Sequence, residues 1–272
     1  MPTLSVVNME QFSKEEVLFW TQRLVKHGHT GWSDPLIYVF DQLERLQLLR
    51  AVLASNPTEG KIALDFGCGT GDFCQLLLDL GFIVYGYDPF VSANIQSSKF
   101  IHVNDLSATP FAPRSIDLVL TVTVLDHILD EHALSLQLSL IRNLLKDEGK
   151  LVVVEYALDD DIDDWRRKHS NGHQALRSMN EWRDILQKHS LEITTVRPFP
   201  SPLFAPSRQY KLYTKNVLVR LLRQLSRYHS RSLTRDRILR CVSKAILRNS
   251  VYVEPPKSPL KLIECCPISG GE

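Results

Sequence analysis

Two spacings of apolar residues alternate along the chain. Short continuous apolar runs are typical of strands buried on both faces of a parallel sheet, whereas apolar residues that recur every three or four positions are typical of helices. The runs predict strands at 62–66, 82–87, 100–103, 118–124, 150–155, 191–196 and 261–266, and the helical spacing predicts helices at 72–80, 130–146 and 178–189. This alternation predicts an α/β fold with a doubly wound, mostly parallel sheet of seven strands.

Two further helices are predicted ahead of the first strand, and each begins with a capping signal. Ser13 and Glu16 form a capping box, in which each side chain binds a backbone N–H at the start of the helix. Asp34 followed by Pro35 supplies an N-cap and a first-turn proline. The second helix is expected to end near Pro57.

The first predicted strand runs into a glycine-rich turn. Gly67, Gly69 and Gly71 carry no Cβ, so the backbone can turn sharply here and pass close to a ligand. A helix follows, and the next strand ends at Asp88. In doubly wound sheets such a unit is a nucleoside-binding half, with the ligand at the carboxyl ends of the strands.

The acidic residues around this turn indicate which nucleoside it binds. The dinucleotide fingerprint G-x-G-x-x-G places a pyrophosphate at a helix N-terminus. Here the spacing is G-x-G-x-G, Asp65 precedes the first glycine by two positions, and Asp72 opens the helix. Negative charge on both sides of the turn disfavours a pyrophosphate and favours a cationic, phosphate-free ligand, whose ribose hydroxyls Asp88 can bind.

Residue by residue, this region resembles the first two motifs of the class I S-adenosylmethionine-dependent methyltransferases, h-h-D-h-G-C-G-x-G and a strand ending in Asp. The resemblance continues at 125–128, which is similar to the family's L-E-H-h segment, and at 149–154, which follows its G-x-L-h-h-h pattern. It implies a Rossmann-like fold with an antiparallel last strand, S-adenosylmethionine as cofactor, and an enzyme that transfers a methyl group. A non-catalytic S-adenosylmethionine-binding protein is the less favoured alternative, because the motif residues are intact.

The resemblance also assigns a set of cofactor-binding residues. After the third strand, Asp105 would accept from the adenine amine, Leu106 would pack against the ring and Asn104 would assist, although Asp105 could instead be an ordinary turn residue. The full predicted set is Asp65, Gly67, Cys68, Gly69, Gly71, Asp88, Pro89, Asn104, Asp105, Leu106, Thr121 and Val122.

His127 is the candidate general base, since it follows the fourth strand where an acceptor should meet the methyl donor. The alternative is a structural histidine that caps a helix or bonds the backbone. Asp126 is expected to point away from it, as neighbours on a helix do. No Asn-Pro-Pro-aromatic tetrad follows this strand (121–124 read Thr-Val-Thr-Val), which disfavours amide and nucleobase methylation and favours an O, N or C atom of a small metabolite.

The chain divides into an N-terminal helical lid at 1–57, an S-adenosylmethionine-binding core at 58–200, a basic helical insertion at 201–257 and the final core strand at 258–272. Trp32, Tyr38 and Tyr210 are the predicted substrate or lid residues. Trp20 and Phe40 are further lid candidates, but an ordinary core position is the favoured interpretation for both.

The insertion carries a strong local charge. Between 208 and 248 there are 12 Lys and Arg residues and one acid, although the whole chain has a formal net charge of +1. Two amphipathic helices are expected there, around 218–225 and 238–246. Three anionic partners fit this surface: a phosphorylated or carrier-bound substrate, an anionic lipid surface, or RNA. A helical cap over the active site with a merely basic outer face is the fourth interpretation.

The remaining composition restricts the class of protein. Five cysteines follow no disulfide or zinc spacing, so no metal site is predicted. The acidic stretch 159–164 is interpreted as a solvated turn, because its spacing matches no cation-binding loop. No secretory signal and no apolar run of about 18 residues occur, so a cytoplasmic protein without a transmembrane segment is expected.

Overall fold

A computed structural model describes residues 14–55, 57–90, 101–103, 111–158, 172–202, 206–226, 233–248 and 258–268. Its strands are β1 (Ile62–Phe66), β2 (Ile83–Tyr87), β3 (Ile101–Val103), β4 (Ile116–Val122), β5 (Leu145–Leu158), β6 (Arg177–Ser178), β7 (Leu191–Pro198) and β8 (Leu260–Pro267). Its helices are α1 (Lys14–His27), α2 (Pro35–Leu53), α3 (Asp72–Asp79), a 3-10 helix (Leu125–His127), α4 (Glu131–Leu144), α5 (Met179–Lys188), α6 (Arg208–Lys215), α7 (Val217–Ser226) and α8 (Leu233–Leu247).

The strands form one mixed sheet in the order β3-β2-β1-β4-β5-β8-β7, and the short β6 pairs with β5 beside it. Strands β1 to β5 are parallel, and β8 runs antiparallel between β5 and β7. The predicted doubly wound α/β fold is therefore confirmed, including the antiparallel last strand. The carboxyl ends of β1, β2 and β4 meet at one edge of this sheet.

Apolar side chains of the sheet pack into a separate helical layer on each face. Leu64 belongs to the layer that contains α4 and α5, whereas its neighbour Ala63 belongs to the layer that contains α2 and α3. Successive residues of a strand point to opposite faces, so a continuous apolar run is what a strand covered on both sides requires. Trp182 of α5, the largest fully buried side chain among the described residues, donates its Nε1–H to the Tyr156 carbonyl at 2.9 Å.

The insertion packs on the outer face of α2. Phe40 of α2 is fully buried against Tyr210 and Tyr213 of α6, and Val219 of α7 and Leu239 of α8 belong to the same apolar cluster. This cluster is separate from the two layers that cover the sheet. Helix α2 thus has a core on each side.

Several predicted helix starts are confirmed. The Asp34 carboxylate accepts from Leu36 N at 2.8 Å and caps α2. At α5 both hydrogen bonds of the capping box between Ser178 and Glu181 are present. The predicted box at Ser13 lies outside the described residues.

The end of α4 and the number of helices in the insertion differ from the prediction. Helix α4 ends at Leu144 and not at 146, because Leu145 already pairs with Ile116 of β4, and the backbone N–H of Ser115 donates to the Leu144 carbonyl at 3.0 Å. The insertion contains three described helices and not two. Helix α6 escaped prediction because its buried residues are the tyrosines Tyr210 and Tyr213 and not a stripe of aliphatic side chains. None of the described helices is both long and apolar enough to cross a membrane.

Candidate functional site

A cavity of about 540 Å³ lies at the carboxyl ends of β1, β2 and β4, with α1 and α2 forming its roof. A volume of this size is typical of small-molecule sites. The sequence-predicted residues that line it are Trp32, Tyr38, Gly67, Cys68, Gly69, Asp88, Pro89, Val122 and His127.

The glycine turn forms the floor of this cavity. Gly67, Gly69 and Gly71 have φ angles of +82°, +48° and +83°, in the left-handed region that suits glycine. The backbone N–H of Gly67 donates to the Tyr87 carbonyl at 2.7 Å. A Cβ on Gly67 would lie 2.3 Å from a Val124 methyl carbon, so only glycine fits between β1 and the segment after β4.

Asp88 holds the turn in place from the end of β2. One carboxylate oxygen accepts from Gly69 N at 2.9 Å, and the other accepts from Phe90 N at 2.9 Å. The side chain also lines the cavity. Asp88 therefore orders the turn and lies at the wall of the cavity.

Asp65 is in a different position from the one that the sequence indicated. The prediction placed it in contact with the ligand, but its side chain is 1% exposed and does not line the cavity. It shares a face of β1 with Ala63, towards α3, where it accepts from the Cys74 thiol at 3.2 Å. Burial raises the pKa of Asp65 to about 7, with Asp88 contributing and the Cys74 hydrogen bond opposing.

Three other predicted residues do not line the cavity. Gly71 lies at the start of α3, and Thr121 is fully buried inside β4. Tyr210 packs against Phe40 on the far side of α2. The predicted adenine contacts Asn104, Asp105 and Leu106 lie outside the described residues.

One polar contact ties the roof to the floor, and others order the roof itself. The Tyr38 hydroxyl donates to Asp72 at the start of α3 at 3.2 Å, and its ring stacks on His29 with centroids 3.4 Å apart. The Trp32 indole N–H donates to the Asp41 carboxylate at 2.8 Å. That carboxylate also pairs with Arg45, whose guanidinium lies 3.0 Å away in a nearly water-free environment.

His127 has a defined orientation at the edge of the cavity. Its Nδ1 lies 2.6 Å from the carbonyl oxygen of His173. A carbonyl can only accept, so Nδ1 carries the proton, and in the neutral imidazole Nε2 has the free lone pair. His127 thus makes the backbone contact of the structural interpretation, and its Nε2 has a lone pair that can accept a proton.

The expectation that Asp126 points away from His127 was wrong. The two residues lie on a 3-10 helix, and Asp126 Oδ1 is 3.7 Å from His127 Nε2. Asp126 is fully buried and accepts from Gln174 at 3.1 Å. Glu155 of β5 accepts from the N–H groups of Val124 and Leu125 at 2.8 and 2.7 Å and so holds the start of this helix.

Glu155 is itself fully buried beside a second carboxylate. Burial, together with the charge of Asp126, raises the pKa of Glu155 well above its ordinary value. Glu155 therefore keeps its proton at a higher pH than an exposed glutamate does.

Several cavity residues were missed or misplaced by sequence reasoning. Trp20, expected in the core, lines the cavity, and its ring meets the His127 ring edge-on at a centroid distance of 4.7 Å. Phe19 lines it too and stacks on His173 at 3.8 Å. Gln137 of α4 lines the cavity, although its helical position reads as part of a buried apolar face. A polar residue within an apolar stripe was the one signal that could have identified it.

Gln137 is unusual among the described residues. Its side chain is 1% exposed, and neither its amide nitrogen nor its amide oxygen has a hydrogen-bond partner in the described part of the chain. An unsatisfied buried amide costs about 1–3 kcal/mol. Such a group at a cavity wall is well placed to bind a ligand.

Comparison with known proteins identifies the family. A family model described as a methyltransferase domain matches residues 38–196, more than half of the chain. The chain therefore belongs to the methyltransferase domain family, as the glycine turn predicted. This family and the fold described above are those of the S-adenosylmethionine-dependent class I methyltransferases.

An uncharacterised methyltransferase of Geobacillus sp. is 28% identical over 107 residues, which are 37% of this chain and 50% of the relative. This chain thus spans about half the length of that relative. Similar folds occur in solved structures. One is phosphoethanolamine N-methyltransferase 2 of Haemonchus contortus, solved with phosphomonomethylethanolamine and S-adenosylhomocysteine. Its TM-score is 0.57 at 15% identity, and the match covers 95% of this chain and 61% of the chain of that enzyme.

Another similar structure is a Haloferax volcanii complex between the Trm112 methyltransferase activator and a methyltransferase. The matched chain has a TM-score of 0.54 at 14% identity, and the match covers 95% of this chain and 100% of that chain. At these identities, the likeness shows a shared fold alone.

The close approach of Gly67 to Val124 predicts the effect of an added methyl group. We expect Gly67→Ala to weaken S-adenosylhomocysteine binding at least tenfold in calorimetry, because the loop must move away from Val124. Gly60→Ala is the matched control, since Gly60 also has a positive φ of +72° but open space around it. Adding Val124→Ala to Gly67→Ala should restore part of the affinity. Equal affinities for both single variants would contradict this steric account.

The raised pKa of Asp65 predicts a pH dependence of stability. The native protein holds a proton on Asp65 up to about pH 7, whereas the unfolded chain loses it near 3.8. Native protein therefore binds more protons across this window, and the free energy of unfolding falls as the pH rises through it. In urea titrations between pH 5 and 8, Asp65→Asn should show a shallower fall than the wild type. Glu192→Gln changes an exposed acid, so its free energy of unfolding should fall with pH as steeply as that of the wild type. If Asp65→Asn also fell as steeply as the wild type, Asp65 would not be a neutral buried acid.

Proposed function

We propose that this chain transfers a methyl group from S-adenosylmethionine to an O, N or C atom of a small metabolite, with His127 as the general base. The observation that carries this proposal is the position of His127, which lines the cavity and whose Nδ1–H donates to the His173 carbonyl, so that Nε2 has the lone pair. The family membership supports the methyl donor, and the cavity supports an acceptor of modest size.

The residues of the cavity fit that donor. Gly67 and Gly69 line the cavity without side chains, so a nucleoside can lie close to their backbone. Asp88 would accept from its ribose hydroxyls, and the aromatic side chains of Trp32 and Tyr38 would cover it. When bound, S-adenosylmethionine supplies a methyl group that its sulfonium already makes electrophilic.

The protein's own contribution is then positioning and proton removal. Holding an acceptor in line with the methyl group can lower the barrier by ~7–11 kcal/mol. His127 Nε2 would take the proton of the acceptor hydroxyl, amine or carbon acid, which typically accelerates such a step ~10²–10⁴-fold. The negative charge of Asp126, 3.7 Å away, would stabilise the resulting imidazolium.

The lining of the cavity favours a neutral, flat acceptor. Phe19 and Trp20 provide aromatic surface next to His127, and Gln137 offers one hydrogen-bond donor group and one acceptor. The two arginines of the lining are already engaged, since Arg23 donates to the Thr30 carbonyl and Arg45 pairs with Asp41. An acceptor phosphate would have to compete with these partners.

Docking of an anionic or carrier-bound acceptor through the insertion is the second candidate. Its support is the charge asymmetry, with 12 Lys and Arg residues and one acid between 208 and 248. The described insertion helices line the outer face of α2 and not the cavity, so they could act only by holding the carrier of the acceptor. Activity that falls steeply with salt would favour this second candidate.

The central test is product formation with and without the base. The protein is incubated with S-adenosylmethionine and a metabolite extract, and mass spectrometry identifies the acceptor by its gain of one methylene mass. His127→Asn keeps a donor for the His173 carbonyl but removes the base, so we expect turnover to fall ~10²–10⁴-fold with unchanged S-adenosylhomocysteine affinity.

His189→Asn is the matched control, because His189 bonds Ser135 and Ser139 on the surface of α4, away from the cavity. It should retain full turnover. A His127→Asn enzyme that keeps wild-type turnover on the identified acceptor would remove His127 from the chemistry, and the absence of any methylated product would contradict the proposed activity itself.

Gln137 should affect acceptor binding and stability in opposite directions. Gln137→Leu replaces an unpartnered buried amide with an apolar group of similar size, so we expect the free energy of unfolding to stay constant or rise. The KM for the acceptor should rise ~5- to 150-fold if the amide binds it. Thermal melts and steady-state kinetics measure the two effects. A loss of stability with unchanged KM would assign Gln137 a purely structural role.

A further inference from the structure

Helices α6 and α7 of the insertion carry apolar side chains on their solvent side. Leu212, Val217, Leu218 and Leu221 are 55%, 70%, 45% and 51% exposed. On α7, Val217 and Leu221 are four positions apart and Leu218 and Leu221 three, so these three side chains share one helix face. Large aliphatic residues clustered on a surface mark an interaction site more often than scattered ones do.

The core of the insertion does not account for these side chains. The opposite side of the same two helices, with Tyr213, Val219 and Leu222, is buried in the cluster around α2. Packing of Val219 and Leu222 sets the rotation of α7, and the Asn216 side chain accepts from Leu218 N at 3.0 Å and caps its first turn. The insertion therefore has one apolar side facing inwards and another facing solvent.

Basic residues accompany the outward apolar side. Lys211, Lys215 and Arg220 are exposed on the same two helices. The stretch from 208 to 226 contains no Asp or Glu at all. We define the basic-apolar face as Leu212, Val217, Leu218 and Leu221 together with Lys211, Lys215 and Arg220.

We propose that the basic-apolar face binds the surface of an anionic lipid membrane. A helix that lies in a membrane interface buries aliphatic side chains below the headgroups and places Lys and Arg among the lipid phosphates. The face has both chemistries side by side, and it lacks the acids that anionic headgroups would repel. Membrane attachment at α6 and α7 would leave the cavity, on the other side of α2, open to its ligands.

The side-chain chemistry favours lipid over RNA. Proteins that bind single-stranded RNA stack its bases on exposed aromatic or planar groups. The two described tyrosines of the face's helices, Tyr210 and Tyr213, are 9% and 0% exposed and pack against Phe40. The exposed apolar groups are aliphatic, which suits acyl chains.

Vesicle sedimentation of the full chain tests this proposal. We expect sedimentation with phosphatidylcholine vesicles that contain phosphatidylglycerol, weakening as salt is added, and little with phosphatidylcholine alone. Leu218→Ser/Leu221→Ser should remove most of this binding. Each basic residue near an anionic surface is worth roughly a fivefold change in partitioning, so Lys215→Ala/Arg220→Ala should weaken it about 25-fold.

Two control variants separate this face from the rest of the surface. Leu18→Ser/Val25→Ser changes side chains of α1 that are 57% and 78% exposed and should bind like the wild type. Arg237→Ala/Lys244→Ala removes two exposed charges from α8 and should cause a clearly smaller loss than Lys215→Ala/Arg220→Ala. Circular dichroism confirms that each variant is folded.

The opposite outcomes are equally clear. No sedimentation with phosphatidylglycerol vesicles, equal sedimentation with neutral ones, or equal losses for the face variants and their controls would each overturn the proposal. Binding of single-stranded RNA or of an acidic protein that depends on the face residues, without vesicle binding, would also overturn it and assign the face to that partner.

Discussion

The site depends on how closely the turn after β1 approaches the segment after β4. There is no room for a Cβ at Gly67, because Val124 occupies that space, and the Gly67 N–H is fixed to the end of β2 by the Tyr87 carbonyl. Asp88 then secures Gly69. Three neighbouring strands thus converge on one small stretch of backbone. A ligand that binds there contacts a surface whose shape is set by the sheet.

The segment after β4 is held with similar firmness. Thr123 has a φ of +52°, an uncommon conformation for a β-branched residue, and such strain concentrates at functional sites. Its backbone N–H donates to the Val154 carbonyl at 2.8 Å, and Glu155 binds the next two N–H groups. This anchoring places His127 beside the cavity. The buried acid of β5 thereby has a role in positioning the candidate base.

Helix α2 links the two proposals made for this protein. Its inner side carries Tyr38 and Arg45 at the cavity, and its outer side carries Phe40 in the apolar cluster with the insertion. A partner that binds α6 and α7 would therefore lie one helix away from the proposed acceptor. The insertion can bring the protein to a surface without occupying the space that a small acceptor needs.

Local sequence determined the fold class, the family and most of the cavity floor. Apolar periodicity is a property of neighbouring residues, and the motif around Gly67, Gly69 and Asp88 is contiguous or nearly so, which is why these features could be predicted. Tertiary structure decided the rest. Asp65 turned towards α3 and away from the cavity, Trp20 reached the cavity, Gln137 became a buried amide without a partner among the described residues, and Asp126 came close to His127. Each of these outcomes depends on the direction of a side chain relative to an element distant in sequence, and no local pattern encodes that direction.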